Sequence, residues 1–555
     1  MDKCLDVPRI VDNIARLVYG NEDDARRPRN AASLARTCRA FHQHTNDLLW
    51  QYQSHLAPLL KCLPKETWVV KYPRKPTREA GGIRNGILTI TRRPIGDEWE
   101  RMDTAAKRIK GLCLDVEWQR EHSVPMVRLD LDKCLPILQR RYSRRPLLPN
   151  LKWLDCRLQP GATYEFLQLC LSPSIERLHI VADRYTYQKC IEDAVDMSCC
   201  VGEDVPGLAV FCGLPPHPDI LSITSLWGLK EIRMYLPLLA VRPRAMMHTL
   251  AWLPELKDLI LFNGGRNWGL AEVDIAATPD KFPALKNLCM YPYDLESGLA
   301  VMRAAAWAPL EYVKVVYTGN WNDQDATQPS YTALANFLAA CGGNRLRRLR
   351  TVIIRALVPP QHEDRPKVVD MLTVKSLCGL KHLQQLHLCL PCAFEFDDGD
   401  MLKMALSWPD LRSLRLGWRA WVWARISISL KGLASLALHC PNLQHLRLVF
   451  HTMSIAKQDF THVSSSCKLK TLQVGNSLIT DPHAVALFFE RVFPNLVDVK
   501  ANKDVWGDQK WARVYWITSE RRKRRQRDRK GPEQATDVVL LHDEIWTELE
   551  ADIFE

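Results

Sequence analysis

Several features are missing from this 555-residue chain, and each absence removes a class of protein. No stretch reaches the 18 or so apolar residues that a membrane span requires. Met1-Asp2-Lys3-Cys4-Leu5-Asp6-Val7-Pro8 is too acidic, and too short in apolar run, for a secretory leader. The sixteen histidines form no H-E-x-x-H pair, and the sequence has no G-x-G-x-x-G or Walker loop and no G-x-S-x-G elbow. No enzyme class therefore has residues to name: catalytic residues, metal ligands and cofactors are all expected to be none. The eighteen cysteines, among them the neighbours Cys199 and Cys200, follow no framework spacing, and a chain of this length builds a core without disulfides. Reduced thiols in an intracellular protein of the cytoplasm and/or nucleus are expected. Cys389-Leu-Pro-Cys392 is a lone C-x-x-C that lacks two zinc ligands, and it follows a strand-like phrase where small buried residues belong. His439, Cys440, His445 and His451 fall near two such phrases, where structural histidines are the plainer expectation.

What is present is an ordinary globular composition, 47% hydrophobic and 25% charged, which excludes a mainly disordered chain. Its length suggests three or four domains or one repeat array. A phrase recurs thirteen times: an apolar residue, two variable ones, an apolar residue, one variable one, and an apolar residue. It begins with Ile109-x-x-Leu112-x-Leu114 and ends with Leu496-x-x-Val499-x-Ala501, often with Pro just ahead. From Leu151 most successive starts lie 24 to 34 residues apart. The gap of 54 between Ile175 and Leu229 predicts a degenerate unit within residues 185–220, and the gap of 39 after Leu310 holds the polar loop 318–325. The closing alternation has the period of a strand with one buried face, while 330–341 and 480–492 carry helical apolar spacing. One strand and one helix cannot bury their apolar faces alone, so neighbouring units must stack.

Residues 4–52 stand apart. Ile10, Val11, Ile14, Leu17 and Val18 form one stripe of a helix that Pro8 can start, a turn follows at 20–28, and Leu34, Cys38 and Phe41 precede Leu48, Leu49 and Trp50. Three short helices in about fifty residues make a marginal core, and the apolar surface left over calls for a partner. Val7-Pro8, the Ile10 to Leu17 stripe, Leu34-x-x-x-Cys38-Arg39-x-Phe41 and Leu49-Trp50 resemble the F-box, with Val7 in place of the usual Leu and a longer charged loop at 21–30. Ile87 to Leu114, with Arg92-Arg93-Pro94 and Trp99, looks like the segment that joins F-box to repeats in fungal F-box proteins. Cys440-Pro-Asn-Leu443 resembles the cysteine-containing repeat subtype of that class.

The resemblance implies an α/β fold: a short three-helix F-box (1–52), a joining segment (53–104), a leucine-rich-repeat solenoid or horseshoe (105–510) of about 12–14 irregular units, and a charged C-terminal tail or cap (511–555). It further implies the substrate-recognition subunit of an SCF-type E3 ubiquitin ligase, which itself does no chemistry. The F-box would bind a Skp-type adaptor and, through it, a cullin-RING core, while the repeats bind an unknown target protein. Pro8, Ile10, Ile14, Leu34, Cys38, Phe41, Leu49 and Trp50 match the family's apolar positions; some form the module's own core and others meet the adaptor, with Trp50 open between the two. The alternative is a ligase-independent repeat scaffold or inhibitor that binds an acidic partner.

For target binding the candidates are Trp418, Trp421 and Trp423, directly after a strand phrase, and Trp321 in the polar loop, because Trp is a favoured interaction anchor. Packing of alternate rings along the ridge is the plainer reading. Arg521, Arg522, Lys523, Arg524 and Arg525 form a nuclear-import-like run or a solvated charged segment, and residues 531–555, with eight acids and no Lys or Arg, suggest an amphipathic cap. The net charge of +12 does not come from that run: residues 520–555 sum to −2 and the rest of the chain to +14. A membrane partner is not expected, nor is nucleic acid, and an acidic target for the repeat face is preferred.

Overall fold

In the computed structural model the described residues are 8–19, 27–72, 86–114, 127–158, 169–182, 210–213, 228–236, 247–248, 250–263, 280–292, 295–317, 331–343, 346–356, 368–390, 392–417, 426–453, 465–501 and 508–530. The chain divides into two compact units. Met1–His362 with Thr373–Leu380 makes the first, and Glu363–Leu372 with Lys381–Glu555 the second.

The first unit opens with three helices, α1 (Pro8–Tyr19), α2 (Arg27–Ala35) and α3 (Arg39–Gln51), which pack on one another. α3 runs straight into the two-residue strand Tyr52–Gln53, whose Gln53 pairs with Leu112 of the strand Gly111–Leu114. From there a parallel ladder follows chain order. Leu112 lies in register with Leu154, Leu178, Phe211, Ile232, Leu259, Leu288, Val313 and Val352 on successive strands. Each is the fourth residue of its phrase, except that Phe211, on Val210–Gly213, fills the doubled gap between Ile175 and Leu229.

Register is strict here because a one-residue slip in a parallel strand would turn every apolar residue of the phrase to the opposite face. Leu112, Leu154, Leu259, Leu288, Val313 and Val352 are completely buried. The helices Leu295–Ala304 and Tyr331–Gly342 pack side by side and bring in further buried residues such as Met302, Phe337 and Leu338.

The joining segment is pinned by a polar cluster. Asp103, in the helix Glu100–Ala106, accepts hydrogen bonds from the Tyr142 hydroxyl at 2.7 Å, Arg145 at 2.7 Å and Arg141 at 3.1 Å. The buried Trp99 ring meets Tyr142 edge to face, and its Nε1 donates to the Pro94 carbonyl. Nearby, Glu98 receives a two-pronged contact from Arg92 and a bond from the Ile95 amide, which together hold its carboxyl down at about 2.

In the second unit, Leu386, Leu414, Leu446, Leu472 and Val499 repeat the in-register ladder. Its helices are Asp398–Ser407, Leu430–His439 and Pro482–Val492. Asp398 reaches from the first of these to the start of the second, where its carboxylate accepts from the Ser429 amide (2.8 Å), the Ser429 hydroxyl (2.6 Å) and the Gly432 amide (3.0 Å). The two amides are donors that the beginning of a helix leaves without an intrahelical acceptor. The close approach requires glycine at 432, since a Cβ there would lie 2.8 Å from Asp398 Oδ1.

The end of this unit is covered by the helix Asp508–Lys530, through Trp511, Val514 and Ile517. Trp511 stacks on Phe489, meets Phe450 edge to face, and donates from Nε1 to the Ser477 carbonyl at 3.0 Å. The acidic stretch 531–555, expected to supply a cap, lies outside the described residues; the observed cap is built from the turns just before the basic run.

Two outcomes are expected. Trp511→Ala removes an aromatic core residue at the end of the array and lowers stability by about 3–5 kcal/mol, seen as a lower urea midpoint for the second unit. At Asp103, burial alone would raise the carboxyl, but the bonds from Tyr142, Arg145 and Arg141 outweigh it and hold the pKa below the usual range. A carboxyl depressed in the folded state stabilises above its unfolded value of about 3.9 and loses that contribution as pH falls further. Asp103→Asn therefore destabilises the first unit at pH 7, and the gap between variant and wild type in thermal melts closes below about pH 4.

Candidate functional site

The three-helix module sorts its residues clearly. Its centre is Val11, Ala15, Ala31, Ala35, Thr45 and Leu48, all buried. Small alanines at the crossings let the helices approach closely. Little room is left for the larger residues that the sequence pattern singled out. Ile14, Leu34, Phe41, Leu49 and Trp50 are half-buried, Ile10 is 39% exposed, and Cys38 is exposed at the start of α3. Pro8 is the first residue of α1. No residue of the named set with a described side chain is fully buried, so all of those reach the module's surface in part.

The structure also adds two residues to that set. Leu17 is 81% exposed and Val18 37% exposed. With Ile10 and Ile14 they follow the i, i+4, i+7, i+8 spacing of one helix face. Both stand in the stripe read from the sequence, but periodicity alone does not tell the buried edge of a stripe (Val11, Ala15) from its outward edge. An exposed leucine is unremarkable singly, whereas a contiguous apolar face on one helix marks an interaction surface.

The array's other candidates separate as follows. Trp321, Trp418, Trp421 and Trp423 lie outside the described residues; the strand Ser413–Leu416 before the last three is followed by Gly417, whose φ of 88° takes the left-handed turn that glycine tolerates. Cys389 and Cys392 are buried free thiols, and burial pushes the Cys392 thiol up. Cys440 and Cys467, on consecutive repeats, point their sulfurs at backbone carbonyls, the first toward Ala405 and Trp408, the second toward Cys440 and Leu443. Burial raises them to about 12 and about 11. Among the described residues no group of three His, Cys, Asp or Glu side chains is placed to hold a metal ion. His439 ends a helix, His445 bonds Thr471 Oγ1 at 2.8 Å from a strand, and His451 forms an isolated bridge with Leu478.

The basic run is a continuation of the capping helix rather than a separate tail. Arg521 pairs with Glu490 at 2.8 Å, Arg522 donates to the Val497 carbonyl at 3.2 Å, and Lys523 pairs with Glu520 at 3.0 Å. Arg524 and Arg525 follow in the same helix. The first residues of the run thus help dock the cap, a role hidden in the sequence by the density of charge around them. No helix among the described residues is long and apolar enough to cross a membrane.

Because the buried thiols are held protonated and shielded, native labelling with a disulfide reagent, mapped by mass spectrometry, is expected to leave Cys392, Cys440 and Cys467 unmodified over a time in which the exposed Cys38 reacts.

No family model matches the chain, and no curated protein matches it. Solved structures do. A crystal structure of a TLR13–ssRNA13 complex aligns over 73% of this chain and 50% of its own, at 14% identity and a TM-score of 0.33, so the chain spans half the length of that protein. A crystal structure of the Rad7 and Elc1 complex in yeast aligns over 86% of this chain and 90% of its own, at 14% identity and a TM-score of 0.34.

Proposed function

We propose that this chain is the substrate-recognition subunit of an SCF-type ubiquitin ligase: an F-box of three helices binds a Skp-type adaptor, and leucine-rich repeats hold a target protein. The observation that carries the proposal is the apolar face that α1 turns outward, the exposed Ile10, Leu17 and Val18 with the half-buried Ile14 beside them. Leu49 and Trp50, half-buried near the end of α3, lie where the module meets the strand Tyr52–Gln53. A repeat array joined to this module by that strand gives a receptor its two working parts, one for the adaptor and one for the target. In this reading the subunit performs no catalysis; the adaptor-bound cullin-RING core supplies the ubiquitin transfer, and the protein works in the cytoplasm and/or nucleus.

The test is capture of a purified Skp-type adaptor by the full chain. Each large apolar side chain buried at the interface contributes about 1.5–3 kcal/mol, so Ile10→Asp with Leu17→Asp is expected to weaken capture at least about tenfold. Both positions are exposed, and helicity by circular dichroism should stay at the wild-type level. Leu49→Ala with Trp50→Ala should also abolish capture. Undiminished capture by both double variants rejects the ligase reading and leaves a repeat scaffold.

A further inference from the structure

The five in-register strands of the second unit turn alternate side chains away from their buried leucines. One outward row reads Gln385, Ser413, His445, Thr471 and Asp498. The next reads His387, Arg415, Arg447, Gln473 and Lys500. Neighbours in a row sit about one strand spacing apart, about 4.8 Å. The second row therefore sets two guanidiniums side by side, with an imidazole on one flank and an ammonium beyond Gln473.

Acidic groups are scarce on this face. Among the described outward residues of the five strands Asp498 is the one carboxylate, and it lies 3.5 Å from Lys500. The corresponding rows of the first unit are mostly uncharged and carry acids as well as bases, among them the pairs Asp155 with His179 at 3.2 Å and Glu231 with Arg233 at 2.6 Å. The field of the second unit's face is registered by His445. Its imidazole is pushed below the ordinary range by burial and then by the cations Arg415 and Lys470. Neutral hydrogen-bonding groups are interleaved with the charges: Ser413 Oγ lies 2.8 Å from His387 Nε2, and Thr471 Oγ1 lies 2.8 Å from His445 Nδ1.

We infer that this face binds an acidic peptide segment of the captured protein, with Arg415 and Arg447 each engaging a carboxylate and Gln473 and the hydroxyl of Thr471 supplying neutral contacts. Guanidinium meets carboxylate in two parallel charge-assisted bonds, the strongest polar contact available to a surface side chain. A nucleic-acid strand fits less well, because the two rows hold no Trp, Tyr or Phe on which bases would stack. The inference rests on the receptor reading given above, and it names the chemistry of the target that reading leaves open.

The experiment is fluorescence anisotropy with the full-length protein and a labelled dodecapeptide of alternating Glu and Ser. Saturable binding that weakens with added salt is expected. Arg415→Gln with Arg447→Gln should weaken it about tenfold or more. Arg524→Gln with Arg525→Gln should leave it unchanged. Adaptor capture by the Arg415/Arg447 variant should equal wild type, so failure of the peptide site and failure of the ligase role are read separately. Absence of binding by the wild-type chain overturns the inference, as does a loss that follows the Arg524/Arg525 variant instead. Binding that appears only in a chain ending at Lys530, with the same dependence on Arg415 and Arg447, assigns the face to the protein's own acidic end and overturns the partner assignment. Should the glutamine pair lower the melting temperature, a Lys-Ser dodecapeptide decides on the wild-type protein: equal binding of both peptides overturns the inference.

Discussion

Parallel register is the constraint on which everything else in this molecule depends. A strand of four to six residues with one buried face has no stability by itself; its backbone groups and its leucines are satisfied only when the next repeat lies alongside at the same height. Leu386, Leu414, Leu446, Leu472 and Val499 show the result, five residues from distant parts of the chain lined up on adjacent strands. The same register that hides these residues fixes the outward ones. The face presented to a partner is thus written by the variable positions of the phrase and held rigid by the invariant ones.

A ladder of this kind has the problem of its ends, where edge strands leave backbone groups and apolar surface uncovered. The chain answers differently in its two units. In the first, α3 delivers Tyr52–Gln53 as an opening strand, the Lys110 amide donates to the Gln51 carbonyl, and Asp47 pairs with Arg108 at 2.8 Å. The small helical module is thereby continuous with the array that follows it. In the second, an aromatic cluster of Phe450, Phe489 and Trp511 closes the array, with Arg521 and Arg522 anchoring the helix that carries Trp511.

The repeats were legible in the sequence because their apolar spacing is dictated by the strand itself. Where the spacing lapsed, the reading lapsed too. Leu208-x-x-Phe211-x-Gly213 ends in glycine instead of an apolar residue, so Val210–Gly213 was expected only as a degenerate unit somewhere within residues 185–220. The capping turns around Trp511, Val514 and Ile517 were obscured by the charged residues around and after them, which make a helix look solvated throughout. The helical module was visible as helices, yet the division between Val11, which is buried, and Leu17, which is exposed, depends on where α2 and α3 lie against α1. Helical periodicity carries no information about that placement.

Asp398 couples neighbouring repeats through the beginnings of their helices. Its carboxylate belongs to one helix and satisfies the first turn of the next, so the first turn of Leu430–His439 cannot fray without setting free a partly buried acid of the repeat before it. Repeat proteins open in segments whose length is set by the strength of nearest-neighbour terms. A contact shared in this way makes the two repeats a single opening unit in exchange with solvent, and it stiffens the array between them against bending under a bound partner.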